Sequence, residues 1–167
     1  MSGRRVVVTG LGMLSPLGND VASSWEGILA GRSGIGPIER FDAEGFNTRI
    51  GGAIKDLDLE RYLSAKDARK MDAFLHYGVA AASQAVESAG LDAEGACDPE
   101  RIGVAIGSGI GGLEFIERNV KALEAGGPRK VSPFFVPASV INMIGGNVAI
   151  KYGFQGPNIA ITTACTT

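Results

Sequence analysis

The distribution of charge along the chain is the feature that most limits how it can fold. The 167 residues include 16 lysines and arginines and 18 aspartates and glutamates, yet only Lys151 lies beyond residue 130. Residues 131–150 carry no charge, and prolines and glycines such as Pro133 and Gly145 make them a poor membrane span. This stretch predicts either a core segment buried on both sides or one that also lines an apolar pocket or a subunit interface.

The overall composition excludes several classes of protein. A formal net charge of -2 argues against a nucleic-acid partner, which requires a basic face. Two isolated cysteines neither form a disulfide framework nor supply the clustered ligands of a metal site. We therefore expect no metal, no cofactor and a reducing compartment, the cytoplasm. The apolar run at residues 6–8 is too short for a signal peptide, and no stretch suits a membrane span.

Strand-like and helix-like patterns alternate along the chain. β-branched and apolar runs predict buried strands at residues 5–9, 102–106 and 158–163, with a short strand near residues 50–54. Apolar periodicity and capping residues predict helices at residues 21–30, 64–89, 113–125 and 139–152. This order favours an α/β fold with a mostly parallel sheet covered by helices, and the length fits one domain.

The helical period also predicts which faces turn inward. The inner face of the helix at residues 21–30 is predicted to be Val21, Trp25, Ile28 and Leu29. That of the helix at residues 64–89 is predicted to be Met71, Phe74, Leu75, Val79, Ala82 and Val86, with Gly78 allowing a neighbour to approach. For residues 113–125 it is Leu113, Ile116, Val120 and Leu123. The helix at residues 139–152 is apolar on nearly every side and is expected to be buried.

Residues 107–112 match the pattern G-x-G-x-x-G between a predicted strand and a predicted helix. This pattern binds dinucleotides, but such a site also needs an acidic residue about 20 positions further on. No acidic residue follows Glu124, so nucleotide binding is disfavoured. The glycines can instead form a tight strand-to-helix turn, or allow close backbone approach while Ile110 projects into a cavity.

Cys165 follows the last predicted strand and is surrounded by small residues. If a helix begins there, the positive end of its dipole favours a thiolate nucleophile. A buried, inert cysteine is the alternative. Cys97, on a polar loop, is treated as incidental, and His76, the only histidine, is expected to be structural rather than a partner of Cys165.

Two groups of basic residues stand out. Lys66, Arg69 and Lys70 are spaced to share one helix face, with Asp67 and Asp72 partly offsetting their charge. Arg129 and Lys130 form a second basic pair. Both groups are either solvated surface or a docking patch for an acidic partner protein.

Four motifs occur in order along the chain: VTGLG at residues 8–12, GSGIGG at 107–112, SPFFVP at 132–137 and TACT at 163–166. Together they resemble the β-ketoacyl-acyl carrier protein synthases, and the turn around Ile110 is similar to that of the type II, elongating enzymes rather than type I. The resemblance extends over essentially the whole chain. It implies the N-terminal part of a thiolase-like α/β/α/β/α fold.

The resemblance also implies a reaction, decarboxylative condensation in fatty-acid elongation. Cys165 would be acylated by an acyl carrier protein thioester, and the carbanion from malonyl-acyl carrier protein would attack the acyl-enzyme to give a 3-ketoacyl product. The family further implies a homodimer and an acyl pocket that would contain Ile110, Phe135 and Ala164. The carrier-protein patch would comprise Lys66, Arg69, Lys70, Arg129 and Lys130.

The chain departs from the family pattern by ending two residues after Cys165. Two catalytic histidines and a lysine belong to the second half of the family's fold. Residues 1–167 are therefore expected to be an incomplete N-terminal thiolase-like half, inactive as given. Three alternatives stay open: a non-catalytic dimerising subunit, disfavoured by Cys165; a thiolase, disfavoured by the motifs around Phe134 and Cys165; and a nucleotide-dependent oxidoreductase, disfavoured by the missing acidic residue.

Overall fold

The computed structural model describes residues 3–167, in which helices outnumber strands. The helices are α1 (Val21–Leu29), α2 (Ala65–Ala68), α3 (Ala73–Ser88), α4 (Leu113–Gly126), α5 (Phe135–Ser139) and α6 (Met143–Tyr152). The strands are β1 (Ile35–Pro37), β2 (Ile50–Gly52), β3 (Val104–Gly107) and β4 (Asn158–Ile161). Single-turn 3₁₀ helices lie at Leu59–Arg61, Pro99–Arg101, Pro128–Lys130 and Ala164–Thr166.

The strands form two separate pairs. β3 and β4 pair in parallel, with Val104 opposite Asn158 and Gly107 opposite Ile161. β1 and β2 form an antiparallel pair, and the sequence pattern does not predict β1. α6 packs on the parallel pair, and α3 packs on α6. The parallel pair with helices layered over it agrees with the predicted α/β class.

The core lies where α3, α6 and β3 meet, with Val79, Val104 and Val148 buried at its centre. α3 and α6 can approach closely because Gly78 has no side chain: a Cβ there would lie 2.5 Å from Cγ2 of Ile144. The inner face predicted for α3 is confirmed at three buried positions: Leu75, Val79 and Val86. The other three predicted positions are half-buried: Met71, Phe74 and Ala82.

The prediction of one helix over residues 64–89 is wrong, because two helices occupy this stretch. Ser64 begins α2, where its Oγ accepts the Asp67 N–H at 3.1 Å. Asp72 begins α3, where its Oδ1 accepts the Phe74 N–H at 3.3 Å. The backbone of Asp72 is extended, with φ -80° and ψ 159°, so α2 cannot continue through it. The apolar periodicity continues through residues 64–89 without a break, but the Asp72 side chain caps a new helix and so divides this stretch in two.

The inward face predicted for α1 is also wrong. Three of the predicted residues are exposed: Trp25, Ile28 and Leu29. Ser24 and Gly27 are buried instead. Ser24 lies inward because its Oγ donates to the Gly18 carbonyl at 3.1 Å and is 2.8 Å from Oγ of Ser15. Hydrogen bonds to the preceding loop, rather than apolar burial, set the orientation of this helix.

In α4 the buried residues are Phe115 and Asn119, and three of the predicted inner residues are exposed: Leu113, Val120 and Leu123. The Asn119 amide donates to the Phe115 carbonyl at 2.8 Å and accepts the Ser132 N–H at 2.7 Å. A polar side chain that satisfies two backbone groups is therefore buried in preference to aliphatic ones.

The prediction of a buried strand at residues 5–9 is wrong. Val6 is 92% exposed, and no strand of the described residues pairs with this segment. The residues that follow this segment lie against α3, where the Met13 N–H donates to Oε1 of Gln84 at 3.0 Å. Gly12 lies so close to α3 that a Cβ would be 1.9 Å from the Ala81 carbonyl oxygen.

The uncharged stretch at residues 131–150 is only partly core. Ile144, Gly145 and Val148 are buried, but Val136 is 62% exposed and Ile150 is 80% exposed. The stretch is two helices, α5 and α6, rather than the predicted helix at residues 139–152. The prediction that this stretch is buried on both sides is therefore wrong, because one of its faces is exposed. No helix within residues 3–167 has both the length and the apolar character needed to cross a membrane.

Candidate active site

Two turns meet at one end of the parallel strand pair. The glycine turn (residues 107–112) follows β3, and the cysteine turn (residues 163–167) follows β4. Since the strands are parallel and in register, their carboxyl ends lie side by side. The Ser108 N–H donates to the Ile161 carbonyl at 3.4 Å, and a Cβ on Gly109 would lie 4.0 Å from Cα of Ala164. Ligand sites of open α/β sheets form at this edge.

The cysteine turn is held by its own hydrogen bonds and presents Cys165 to solvent. The Thr163 N–H donates to Oγ1 of Thr167 at 2.7 Å, and Oγ1 of Thr166 donates to the Thr163 carbonyl at 2.8 Å. Ala164 has φ +53°, a left-handed conformation that costs a residue with a Cβ about 1–2 kcal/mol. The turn therefore ends β4 and leaves the thiol accessible.

Two sequence expectations concern Cys165. The cysteine lies within the single-turn 3₁₀ helix Ala164–Thr166, next to the last described residue, so the start of a longer helix at Cys165 stays a prediction. The alternative of a buried, inert cysteine is contradicted as to burial, because Cys165 is exposed. Exposure and position at a strand end are what favour it as a nucleophile.

The glycine turn is pressed against the end of α5. Gly111 has φ +92°, and a Cβ there would lie 2.5 Å from the Ser139 carbonyl oxygen. The Gly112 N–H donates to that same carbonyl at 2.9 Å, and the Leu113 N–H donates to the Gly111 carbonyl at 3.0 Å. Close backbone approach is therefore confirmed as the reason for these glycines. The amides of Ser108 and Gly112, at the two ends of the turn, are bonded to backbone carbonyls.

The three predicted acyl-pocket residues all belong to segments around this edge. Ile110, at the tip of the glycine turn, is 71% exposed. Ala164 is exposed in the cysteine turn, next to Gly109. Phe135 is half-buried at the start of α5, whose last residue, Ser139, contacts the glycine turn. The structure thus places the turns of Ile110 and Ala164 in contact and links Phe135 to them through α5.

The predicted basic patch is at the surface, but part of its charge is neutralised. Lys70 forms an ion pair with Asp67, with its Nζ 2.9 Å from Oδ1. Hydrogen bonds from Lys70 and from the Ser64 hydroxyl hold the pKa of the Asp67 carboxyl below its usual value. The Lys70 ammonium also lies 5.5 Å from the ring centroid of Phe134. The remaining basic residues of the patch are exposed: Lys66, Arg69, Arg129 and Lys130.

His76 has a structural contact, as expected from the sequence. Its Nε2 lies 2.9 Å from the carbonyl oxygen of Ala68, the last residue of α2. The ring therefore joins α2 to α3 across the break between them. Cys97 is exposed on a loop.

Asp72 has a role that the sequence analysis misses. It does not offset the charge of the basic patch; it is only 8% exposed, and its carboxylate binds backbone amides. Oδ2 accepts the N–H of Phe115, in the first turn of α4, at 2.7 Å. An aspartate just before an apolar helical run is a helix-cap signal that could have identified the first of these bonds. The bond to α4, 43 residues away, leaves no local signal.

A second missed feature is a cleft of 860 Å³ beside the glycine turn. It is lined by aromatic and charged residues, among them Phe41, Phe46, Phe74, Tyr77, Arg118 and Lys121. Arg40 and Glu114 form an ion pair across it. The segment that supplies Arg40 is irregular and has no periodic pattern, so the sequence offers no signal for it. Across residues 3–167 no group of three or more His, Cys, Asp or Glu side chains is arranged to hold a metal.

Comparison with known proteins gives consistent matches along the chain. The model of the beta-ketoacyl synthase N-terminal domain matches residues 3–167. The chain is 62% identical over its full length to 3-oxoacyl-[acyl-carrier-protein] synthase 2 of Vibrio cholerae serotype O1 (strain ATCC 39315 / El Tor Inaba N16961), and covers 40% of that protein. It thus spans about two fifths of the length of the curated relatives that it matches.

Solved structures show the same likeness. The ishigamide ketosynthase/chain length factor superposes with a TM-score of 0.84 at 32% identity, over 96% of this chain and 40% of the other. A ketosynthase complex with a type II polyketide acyl-carrier protein, AntDE:AntF, superposes with a TM-score of 0.70 at 28% identity, over 89% of this chain and 39% of the other. The fold class predicted from sequence, α/β and the N-terminal part of a thiolase-like fold, is confirmed.

Proposed function

Because the chain belongs to the β-ketoacyl synthase family, we propose that it is the N-terminal, nucleophile-bearing half of a 3-oxoacyl-acyl carrier protein synthase that elongates fatty acids. The observation that carries this proposal is the exposed thiol of Cys165, in a turn that contacts the glycine turn at the carboxyl ends of β3 and β4. The 62% identity to 3-oxoacyl-[acyl-carrier-protein] synthase 2 of Vibrio cholerae supports fatty-acid elongation as the pathway.

The first chemical step is acyl transfer to Cys165. The Cys165 thiol gives up its proton, and the thiolate attacks the carbonyl carbon of an acyl thioester and forms a carbon–sulfur bond to the enzyme. The carbon–sulfur bond to the carrier protein breaks, and the carrier-protein thiolate leaves and takes up that proton. Malonyl thioester then loses carbon dioxide, and its carbanion attacks the acyl carbonyl. A carbon–carbon bond forms and the Cys165 thiolate is released. His76 is engaged with the Ala68 carbonyl, so decarboxylation is not assigned to it.

The acyl chain and the carrier protein have proposed sites on this chain. Ile110, Phe135 and Ala164 belong to segments that meet beside Cys165, which supports them as walls of the acyl pocket. The acidic carrier protein is proposed to dock on a surface patch of four exposed basic residues and the half-buried Lys70; the exposed residues are Lys66, Arg69, Arg129 and Lys130. A solved relative in complex with its acyl-carrier protein supports this class of partner.

We extend the proposal to assembly and location. We propose a homodimer because the family resemblance implies one. The two free thiols, Cys97 and Cys165, support the reducing environment of the cytoplasm.

Acylation of the cysteines tests the proposed nucleophile. The full-length enzyme is incubated with an acyl thioester, digested and examined by mass spectrometry, with Cys97 as an internal control because it is also exposed. The adduct is expected on the peptide that contains Cys165. Cys165→Ala should lose both the adduct and 3-ketoacyl product, while Cys97→Ala should retain both. Full condensing activity in Cys165→Ala would refute the assignment.

A further inference from the structure

The carboxylate of Asp72 joins the starts of two helices. Oδ1 accepts the Phe74 N–H of α3 at 3.3 Å, and Oδ2 accepts the Phe115 N–H of α4 at 2.7 Å. The residue is only 8% exposed. A buried charge needs partners, and here they are amides at the N-termini of two helices, where the helix dipoles favour a negative charge.

α4 needs this distant carboxylate because it lacks a cap of its own. Gly112 stands at its N-cap position and provides no side-chain hydrogen bond. A residue with a cap side chain cannot replace it easily, since a Cβ at Gly112 would lie 2.7 Å from the Ala138 carbonyl oxygen. An N-cap side chain normally binds the amide two or three residues into the helix. Asp72 binds that amide, Phe115, from another part of the chain.

The glycine turn is thus held at its C-terminal end from two sides. On one side Gly112 donates to the Ser139 carbonyl at 2.9 Å. On the other side Asp72 holds Phe115, and a Cβ on Gly112 would lie 3.2 Å from Cβ of Asp72. At the N-terminal end of the turn, Gly107 is paired with Ile161 of β4. Ile110 lies at the tip between these anchors, and few other contacts restrain it because it is 71% exposed.

We propose that Asp72 is a positioning residue for acyl-chain selectivity: by holding the start of α4, it fixes the glycine turn and hence the place of Ile110 relative to Cys165. This inference rests on the proposed function, since it presumes that Ile110 meets the acyl chain. Without the bond to Phe115, the turn gains freedom and Ile110 discriminates less between long and short chains. Transfer of a short acyl group to Cys165 does not depend on this restraint.

The decisive variant is Asp72→Ser in the full-length enzyme. Serine is a good N-cap, so its Oγ can still accept the Phe74 N–H, but its single short hydroxyl cannot also reach Phe115. The control is Asp20→Ser, because Asp20 caps α1 through bonds within its own helix and lies outside the site. The rates kcat/KM are measured for a long and a short acyl-carrier protein substrate, together with acylation of Cys165 by a small thioester.

We expect Asp72→Ser to reduce the long-to-short discrimination by about threefold or more, the size of effect seen for residues that act through others. Its acylation by the small thioester should match the wild type, and Asp20→Ser should keep the wild-type discrimination. Hydrogen exchange of the amides at residues 107–115 should accelerate in Asp72→Ser, while exchange in the rest of α3 stays unchanged.

Other outcomes overturn the inference. If Asp72→Ser does not fold, Asp72→Asn is used, because its amide has the same size but can accept from only one of the two N–H groups. Unchanged discrimination in either folded variant refutes the positioning role. Loss of the fold in both assigns Asp72 a purely structural role and refutes it equally. Failure of the wild type to acylate Cys165 would instead refute the proposed function.

Discussion

The contact between α3 and α6 predicts opposite effects for two similar glycine substitutions. Gly78 of α3 and Gly146 of α6 both lie within helices, where alanine is favoured over glycine by about 1 kcal/mol. A Cβ on Gly146 would meet only the Met143 side chain, with Sδ at 3.8 Å and Cε at 4.0 Å, which are ordinary contacts. Gly146→Ala should therefore raise the free energy of unfolding by about 1 kcal/mol.

A Cβ on Gly78 would lie 2.5 Å from Cγ2 and 3.2 Å from Cδ1 of Ile144. Ile144 is only 4% exposed, and Cγ2 is attached directly to Cβ, so it cannot withdraw without repacking α6. Overpacking of this kind costs about 1–3 kcal/mol. After the helix gain, Gly78→Ala should range from neutral to about 2 kcal/mol less stable than the wild type.

Equilibrium unfolding in urea, monitored by circular dichroism, measures both variants and a double mutant. In an Ile144→Ala background the obstructing atoms are gone, so Gly78→Ala should become stabilising, and the coupling energy should be about 1–3 kcal/mol. If Gly78→Ala stabilises the wild-type protein as much as Gly146→Ala does, the close helix contact is not the reason for the glycine.

Three further predictions concern docking, chain length and acid stability. Replacing Lys66 and Arg69 by Glu should raise the apparent KM for acyl-carrier protein substrates several-fold, because charges at the rim of an interface govern association. The apparent KM for a small thioester should not change. Equal effects on both substrates in steady-state assays would exclude docking at these residues. Ile110→Phe should reduce kcat/KM for long acyl chains about tenfold or more relative to short ones, because the added volume would occupy space that a long chain needs. An unchanged dependence of kcat/KM on chain length would place Ile110 outside the pocket. Asp20→Ala should lower the free energy of unfolding by about 1 kcal/mol at pH 7, because it removes the cap of α1. Hydrogen bonds from the Ser23 hydroxyl and backbone hold the pKa of Asp20 in the folded protein below its usual value. The difference in stability between Asp20→Ala and the wild type should therefore be present above about pH 4 and disappear as the pH falls through the pKa of Asp20 in the folded protein. A loss of equal size at pH 7 and pH 2 in urea titrations would contradict that linkage.

Local chemistry alone determines several features of this protein. Asp20 and Ser64 accept amide hydrogens from residues three positions ahead, so their helix starts can be read from adjacent letters. The glycine turn and the cysteine turn also follow strands whose positions the apolar runs predict closely. Because parallel strands bring their carboxyl ends together, the candidate site could be located from sequence, and Cys165 could be singled out within it.

Tertiary structure decides the rest, because it depends on partners that are distant in the chain. Periodicity shows that α1 and α4 have apolar faces, but buried hydrogen bonds turn Ser24 and Asn119 inward instead. Residues 5–9 have the composition of a strand, yet pairing requires a neighbouring strand, which the described residues do not place there. Asp72 reads as one acidic residue beside a basic patch. Only packing brings its carboxylate to the start of α4, where it accepts the Phe115 N–H. That N–H has no cap from its own helix, because the close approach of α5 requires a glycine at position 112.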